Sequence, residues 1–257
     1  MRITQFRPAA ASAADLAGYV KVELAAARQD RPDEPAPSTE AAMARLTRVQ
    51  APGRRRVHWT ARLPADEQIL AVAYLSLVGD QPADLAGIDV TVHPGHRRRG
   101  LGTALLRELA LAAADRDCLL IEGLLDGSAG QARADAMGFA VVQQTVELRL
   151  DLRSADPARW QVQAAAGYRL AKWTGSAPDE LLLSYAAARN AIREAPHDGL
   201  SFAEPEWTAR RVRDEEATAA ARGCELRVVA AIHQPTAQVA GLTYLEIYQH
   251  RPELAVQ

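Results

Sequence analysis

The stretch Ile88 to Leu106, IDVTVHPGHRRRGLGTALL, holds the residue types in this chain best placed to do chemistry. Polar and apolar residues alternate up to Val92, and Pro94 ends that strand-like run. A basic turn, His96-Arg97-Arg98-Arg99, then leads into Gly100-Leu101-Gly102 and a helix-forming sequence. A helix N-terminus presents several N–H groups without intrahelical partners and about half a positive charge. Two glycines one residue apart let a ligand approach that backbone with no Cβ in the way. The pattern is that of a phosphate cradle, with the Thr103 hydroxyl as a further donor and the three arginines as further charge. A nucleotide P-loop would require Gly-Lys-Ser/Thr, and a dinucleotide fingerprint would require glycine where Leu105 stands, so neither fits.

The elements that must position this turn follow from pattern and punctuation. Ile3 to Phe6 reads as a strand, and Ser12 or Asp15 opens a helix running to about Arg28. The proline- and charge-rich Asp30 to Ser38 is a loop, and a second helix is expected from Thr39 to Val49. Arg56 to Leu63 and Ile69 to Leu77 form β-runs joined by Pro64-Ala65-Asp66-Glu67, with Gly87 to Val92 a third. Gly100 to Arg116 is helical, with Leu101, Leu105, Leu109 and Ala112 on one stripe. Leu119 to Glu122 is a short strand, Gly130 to Met137 a helix closed by Gly138, and Val141 to Leu152 a long β-run.

The polar segment Asp151 to Pro157 marks a boundary between a domain over 1–152 and a second over 153–257. In the second, Tyr168 to Trp173 reads as a strand, and Asp179 to Arg193 as a helix capped near Ser176. Pro205 to Arg222 reads as another helix with proline in its first turn, followed by a hairpin of Leu226 to Ile232 and Val239 to Tyr248. Strand, helix, helix, strand, strand thus recurs, which points to an internal duplication whose second copy has no counterpart of the basic turn. Leu245 to Ile247 would then be an exposed sheet edge, which favours this chain being part of a longer protein.

The string Arg97-Arg98-Arg99-Gly100-Leu101-Gly102, preceded by Val90-Thr91-Val92-His93-Pro94, resembles the acyl-CoA signature of the GNAT superfamily of N-acyltransferases, Arg/Gln-x-x-Gly-x-Gly/Ala. Gly138-Phe139 resembles the family's Gly-Phe after its fourth helix, and the whole chain is similar to the tandem-GNAT arrangement, the organisation of mycothiol synthase. The resemblance implies an α/β (α+β) fold with a mixed, mostly antiparallel central sheet flanked by helices, followed by a second, partial domain of the same kind. It implies that backbone groups of Val90 and Val92 pair with the pantetheine arm of acetyl-CoA, the co-substrate, as an added strand would. Amides of Arg98, Gly100, Gly102 and Thr103 would hold the pyrophosphate, with Arg97 and Arg99 beside them. An amide near Val92 would face the thioester oxygen and stabilise the developing oxyanion.

The reaction so implied is acetyl transfer to a primary amine of a small molecule or peptide by direct attack. An alkylamine of pKa ~10.4 must lose a proton first, which at pH 7 costs roughly 4–5 kcal/mol. Asp89 and Glu122 are the candidate general bases, with His93 and His96 as weaker ones. The family's usual acid, a tyrosine four residues before the Gly of Gly-Phe, is replaced here by Ala134. A thiol leaving group of pKa ~8.5 tolerates that loss, but the change also suits a non-catalytic acyl-CoA-binding module.

Composition bounds the alternatives. The 257 residues are 48% apolar and 24% charged, typical of a globular protein, and 30 Lys and Arg against 32 Asp and Glu leave a net charge of −2. Neither nucleic acid nor a membrane surface is an expected partner, Arg54-Arg55-Arg56 reads as a solvated strand end, and a homodimer is an allowed assembly. No apolar run reaches the ~18 residues of a membrane span. Cys118 and Cys224 form neither a C-x-x-C pair nor a metal set, so a reducing, cytoplasmic setting and no metal are expected. Tyr168, Trp173, Tyr185 and Trp207 read as packing rather than a ligand box. The acceptor itself is not encoded in any motif, because its pocket would be built from the variable segments around Ser12 to Val49 and the second domain.

Overall fold

The computed structural model describes residues 1–32, 37–47, 54–63, 67–79, 84–124, 127–146, 148, 150–161, 163–194, 199, 201, 204–249, 252 and 255–256. It divides into two compact units, one of Met1–Val141 with Ser201–Ala203, the other of Val142–Leu200 with Glu204–Gln257.

In the first unit the strands β1 (Arg2–Phe6), β2 (Arg54–Arg62), β3 (Ala71–Val78), β4 (Leu85–Val92) and β5 (Leu120–Glu122) form one sheet in that order. The first four pair antiparallel and β5 pairs parallel to β4. Helices α1 (Ala13–Asp30) and α2 (Thr39–Thr47) lie on one face. Helix α3 (Leu101–Ala114) lies on the other, and α4 (Gly127–Ala136) follows β5. Ser12 caps α1 as its sequence requires, its Oγ accepting the Asp15 N–H at 3.1 Å.

Alternation decides what each face of the sheet carries. Val57, Trp59, Ala73, Leu75 and Ala86 pack with Ile88, Val90 and Val92 against the Leu101, Leu105 and Leu109 stripe of α3. The opposite parity brings Phe6, Thr60, His58, Val72 and Tyr74 under α1, where Tyr19, Val20 and Val22 are fully buried. Burying each such apolar side chain contributes about 1.5–3 kcal/mol, so the two cores fix β4 between α1 and α3.

The second unit repeats the opening order: β6 (Tyr168–Thr174), α5 (Asp179–Arg189), α6 (Ala209–Ala221), β7 (Cys224–His233) and β8 (Gln238–Tyr248). Its antiparallel sheet runs β6-β7-β8-β9, where β9 (Ala255–Val256) pairs with Ile247 and Glu246. The edge expected at Leu245 to Ile247 is therefore covered at two of its three residues. Tyr185 is buried and meets Trp173 edge-on, while the Arg189 guanidinium stacks over Trp207 at 3.2 Å from the ring centroid. Tyr168, by contrast, is exposed. Both cysteines are buried.

Three expectations are corrected. None of the described residues in 141–152 is in a strand, and Val141, Val146 and Leu148 are exposed. Alternation says which face a strand would bury, but a strand exists only where a ladder takes its N–H and C=O groups. Helix α6 begins at Ala209, because Thr208 caps it by accepting the Arg211 N–H (3.2 Å), so Pro205 lies ahead of the helix. Helix α5 begins after Pro178 with no side-chain cap of its own and ends at Arg189, with a 3-10 turn continuing over Asn190–Glu194. The expected turn residues 64–66 and the helix end at 48–49 lie outside the described residues.

Candidate active site

Strands β4 and β5 pair over three positions only, Leu85 with Leu120, Ala86 with Ile121 and Gly87 with Glu122. Beyond them the two strands part, and among the described residues no strand pairs with Ile88–Val92 on that side. The parting begins tightly: a Cβ at Gly123 would stand 3.1 Å from the Ile88 carbonyl oxygen. This leaves the backbone of Ile88 to Val92, the stretch that holds Val90 and Val92, as an edge with no strand partner on that side among the described residues.

That edge leads into the basic turn. Pro94–His96 form a 3-10 turn, and Arg98 (φ 63°) and Gly100 (φ 79°) both take the left-handed conformation. Two such residues swing the chain through the corner from strand into α3, and glycine at 100 removes the penalty at the second. No side chain caps α3, and its first intrahelical bond runs from the Ala104 N–H to the Gly100 carbonyl. The N–H groups of Leu101, Gly102 and Thr103 therefore remain for an external acceptor.

The three arginines of the turn separate. Arg97 is committed: its guanidinium makes a forked pair with Asp30 at the end of α1 (2.7 and 2.6 Å), and its Nε donates to the Val92 carbonyl at 3.3 Å. Arg98 and Arg99 are exposed and have no acidic partner among the described residues. A further cation joins them that sequence reading missed. Arg133, on α4, has its guanidinium over Gly102, where a Cβ would overlap it, and burial followed by the charge of Arg97 lowers its pKa. Nothing local to α4 announces this; its neighbour Ala134 is buried.

On the α1 face of β4, a row of side chains crosses four strands in register. Phe6 stands opposite His58, His58 opposite Tyr74, and Tyr74 opposite Asp89. Asp89 also accepts from the Thr91 hydroxyl at 3.1 Å. Tyr19 of α1 caps the row with a hydroxyl 3.0 Å from His58 Nδ1, and Glu23 of α1 is bonded to Arg45 of α2 at 2.8 Å. Burial raises the pKa of Glu23, Tyr19 and Tyr74, and Asp89 raises all three further. Burial, with Arg56 and Arg45, lowers that of His58 to about 4, so at neutral pH its ring is uncharged. The Arg56 guanidinium lies 4.6 Å from the centre of the Tyr74 ring. Apart from Asp89, none of these residues was a sequence candidate, and the cross-strand register that unites them has no local signature.

Glu122 is placed otherwise. Its Oε1 accepts the backbone N–H of Ser201 at 2.8 Å. His93 and His96 sit on the turn with ring centres 5.4 Å apart, and His93 Nδ1 accepts the Gly95 N–H at 3.2 Å. Among the described residues no group of three or more His, Cys, Asp or Glu is placed to hold a metal ion, and no helix is long and apolar enough to cross a membrane.

A short parallel strand pair, an unpaired strand edge beyond it and an uncapped, cation-ringed helix N-terminus define a class of protein. Residues 23–139, which lie within the first unit, match the acetyltransferase (GNAT) family. Mycothiol acetyltransferase of Mycobacterium marinum is 36% identical over 83 residues, 32% of this chain and 25% of that protein. Its counterpart in Mycolicibacterium paratuberculosis is 31% identical over 112 residues, 44% of this chain and 34% of that protein. The chain thus spans between a quarter and about a third of the length of these curated relatives. Among solved structures, a tandem GNAT protein from the clavulanic acid biosynthesis pathway superposes with a TM-score of 0.70 at 22% identity, over 96% of this chain and 74% of that one. A GCN5-related N-acetyltransferase from Sphaerobacter thermophilus gives 0.62 at 17%, over 96% and 72%. Both likenesses are of fold, and they take in the second unit as well as the first.

Proposed function

We propose that the first unit transfers an acetyl group from acetyl-CoA to a primary amine, with Asp89 as the base that deprotonates the incoming ammonium. The observation that carries this reading is the conjunction of the open β4 edge at Ile88–Val92, the uncapped start of α3, and Asp89 on the strand between them. The residues fit acetyl-CoA. A pantetheine arm can pair with the backbone of Val90 and Val92, and a pyrophosphate can take the N–H groups of Leu101, Gly102 and Thr103. Arg98, Arg99 and Arg133 lie around that end, while Arg97 holds the turn to α1.

In the proposed reaction the amine nitrogen bonds to the thioester carbonyl carbon and the carbon–sulfur bond breaks. One proton leaves the ammonium for Asp89, directly or through water, and passes on to solvent; the nitrogen loses its second proton as the tetrahedral intermediate collapses, and that proton ends on the CoA thiolate. Tyr74 opposite Asp89 stays protonated, because burial and the Asp89 charge raise its pKa, so it presents a hydroxyl donor beside the base. His58 is uncharged at neutral pH and Glu23 is paired with Arg45, so neither competes for the role given to Asp89. Ala134, where the family has its tyrosine, favours a second reading, a domain that binds acyl-CoA without turning it over.

The test measures thiol release from acetyl-CoA with a panel of primary amines, alongside calorimetric titration of acetyl-CoA. Asp89→Asn should lower the turnover number by about 10²–10⁴-fold and leave acetyl-CoA affinity within about twofold. Binding without turnover for every amine would establish the second reading. No binding at all would sink both.

A further inference from the structure

Beside the basic turn, the first unit contains a cavity of ≈ 390 Å³, walled by α1, by the residues entering β3 and by His93 and His96. We propose that this cavity binds a small carboxylate with a short alkyl body, held by Lys21 and the two imidazoles. The inference is independent of the acyl-transfer reading, since it concerns a separate cavity and a ligand that need not react.

Size and lining point to a small molecule. Clefts of a few hundred Å³ with an apolar floor and a few polar groups are typical of such sites. Here the floor is Ala14, Gly18, Ile69 and Leu70. Gly18 keeps it open, because a side chain there would start 3.4 Å from Ile69 Cδ1.

Charge then selects the ligand. Two carboxylates also line the cavity, and both are matched. Asp15 is bonded to Arg62 at 2.5 Å and to the Ser12 hydroxyl at 2.9 Å. Glu67 pairs with Arg2 at 3.0 Å and approaches Arg62 at 3.9 Å. Lys21 has no acidic partner among the described residues, so the unbalanced charge in the wall is positive.

The histidines supply donors. With its Nδ1 accepting from Gly95, the neutral ring of His93 carries its proton on Nε2. His96 Nδ1 is buried with no hydrogen-bond partner, and buried polar atoms in folded proteins are otherwise almost always partnered. The lysine cation and the two imidazoles suit a ligand with one negative charge. A phosphate dianion would want more cations, and an amine would meet Lys21 repulsively.

The full chain, labelled with [15N]histidine, tests this directly. The imidazole signals of His93 and His96, assigned with His93→Gln and His96→Gln, are followed while sodium butyrate is added at constant ionic strength. Both signals should move saturably with butyrate. Lys21→Gln should weaken the apparent affinity about tenfold or more, and Lys21→Arg should retain it. The proposal is overturned if neither signal saturates, if butyramide or inorganic phosphate binds as well as butyrate, or if Lys21→Gln binds like the wild type. Lys21 is exposed on α1, so these variants fold.

Discussion

The guanidinium of Arg133 on α4 lies over the Cα of Gly102 in the first turn of α3, in the space any other residue at 102 would fill with its Cβ. Glycine at 102 thus does two things: it bares the helix amides and it admits the guanidinium of Arg133 from another helix. Burial and the neighbouring Arg97 both oppose the charge on Arg133, and so does the positive end of α3. An anion at the helix start relieves all three.

Arg133→Gln should therefore weaken acetyl-CoA binding about tenfold, while the unliganded protein stays as stable as the wild type or becomes slightly more so. Calorimetry and thermal unfolding read the two halves of that prediction. A clear fall in unliganded stability would mark Arg133 as a packing residue instead. Gly102→Glu should abolish binding, because its carboxylate would take both the Arg133 guanidinium and the pyrophosphate position.

The Arg97–Asp30 fork ties the end of α1 to the turn, and both side chains are only about a third exposed. Asp30→Asn should cost about 1 kcal/mol, at the upper end for a partly exposed pair because two charge-assisted bonds go together. Urea unfolding would check it. Acetyl-CoA affinity should survive, since Arg97 is freed rather than removed.

His58 makes stability depend on pH. Its pKa is about 4 in the folded protein against an ordinary 6.5, so between those values the unfolded chain holds a proton that the folded one does not. Its contribution is complete above pH 6.5 and is lost as pH falls towards 4, up to roughly 3 kcal/mol. Glu23, whose pKa burial raises, acts in the opposite sense above the ordinary carboxylate range. The comparison is therefore wild type against His58→Gln, followed by denaturant unfolding between pH 7 and pH 4.5. The stability advantage of the wild type should shrink steadily on acidification; a constant difference would contradict the assignment.

In the second unit, Glu216 is 9% exposed and bridges two elements. It accepts the Ala177 N–H just ahead of α5 and a bond from Arg213, each at 2.8 Å. This carboxylate on α6 takes the place of the cap that the sequence suggested at Ser176. Glu216→Ala should destabilise the unit by about 2–3 kcal/mol, since it orphans a buried N–H and strips Arg213 of a partner, whereas Glu216→Gln should cost less. Unfolding followed by Trp fluorescence measures both.

Much of this was legible along the chain because it is local. Strand, proline, basic turn, spaced glycines and helix follow one another within Ile88 to Leu106, and each step is set by the residues at that step. The α1 cap at Ser12, the Leu101-Leu105-Leu109 stripe and the left-handed Gly138 are of the same kind. The long β-run at 141–152 misled for the complementary reason, since its alternation is local but a partner strand is not.

What the sequence by itself determined is therefore the backbone of the basic turn: where the strand stops, where the helix starts, and that glycine stands at 100 and 102. Tertiary structure alone decided which charges attend it. It tied Arg97 to Asp30, 67 positions away, and brought Arg133 onto Gly102. Sheet register likewise aligned His58, Tyr74 and Asp89 under Tyr19. Backbone conformation answers to neighbours in the chain, whereas the partner of a long charged or aromatic side chain is set by packing and pairing between elements that no spacing records.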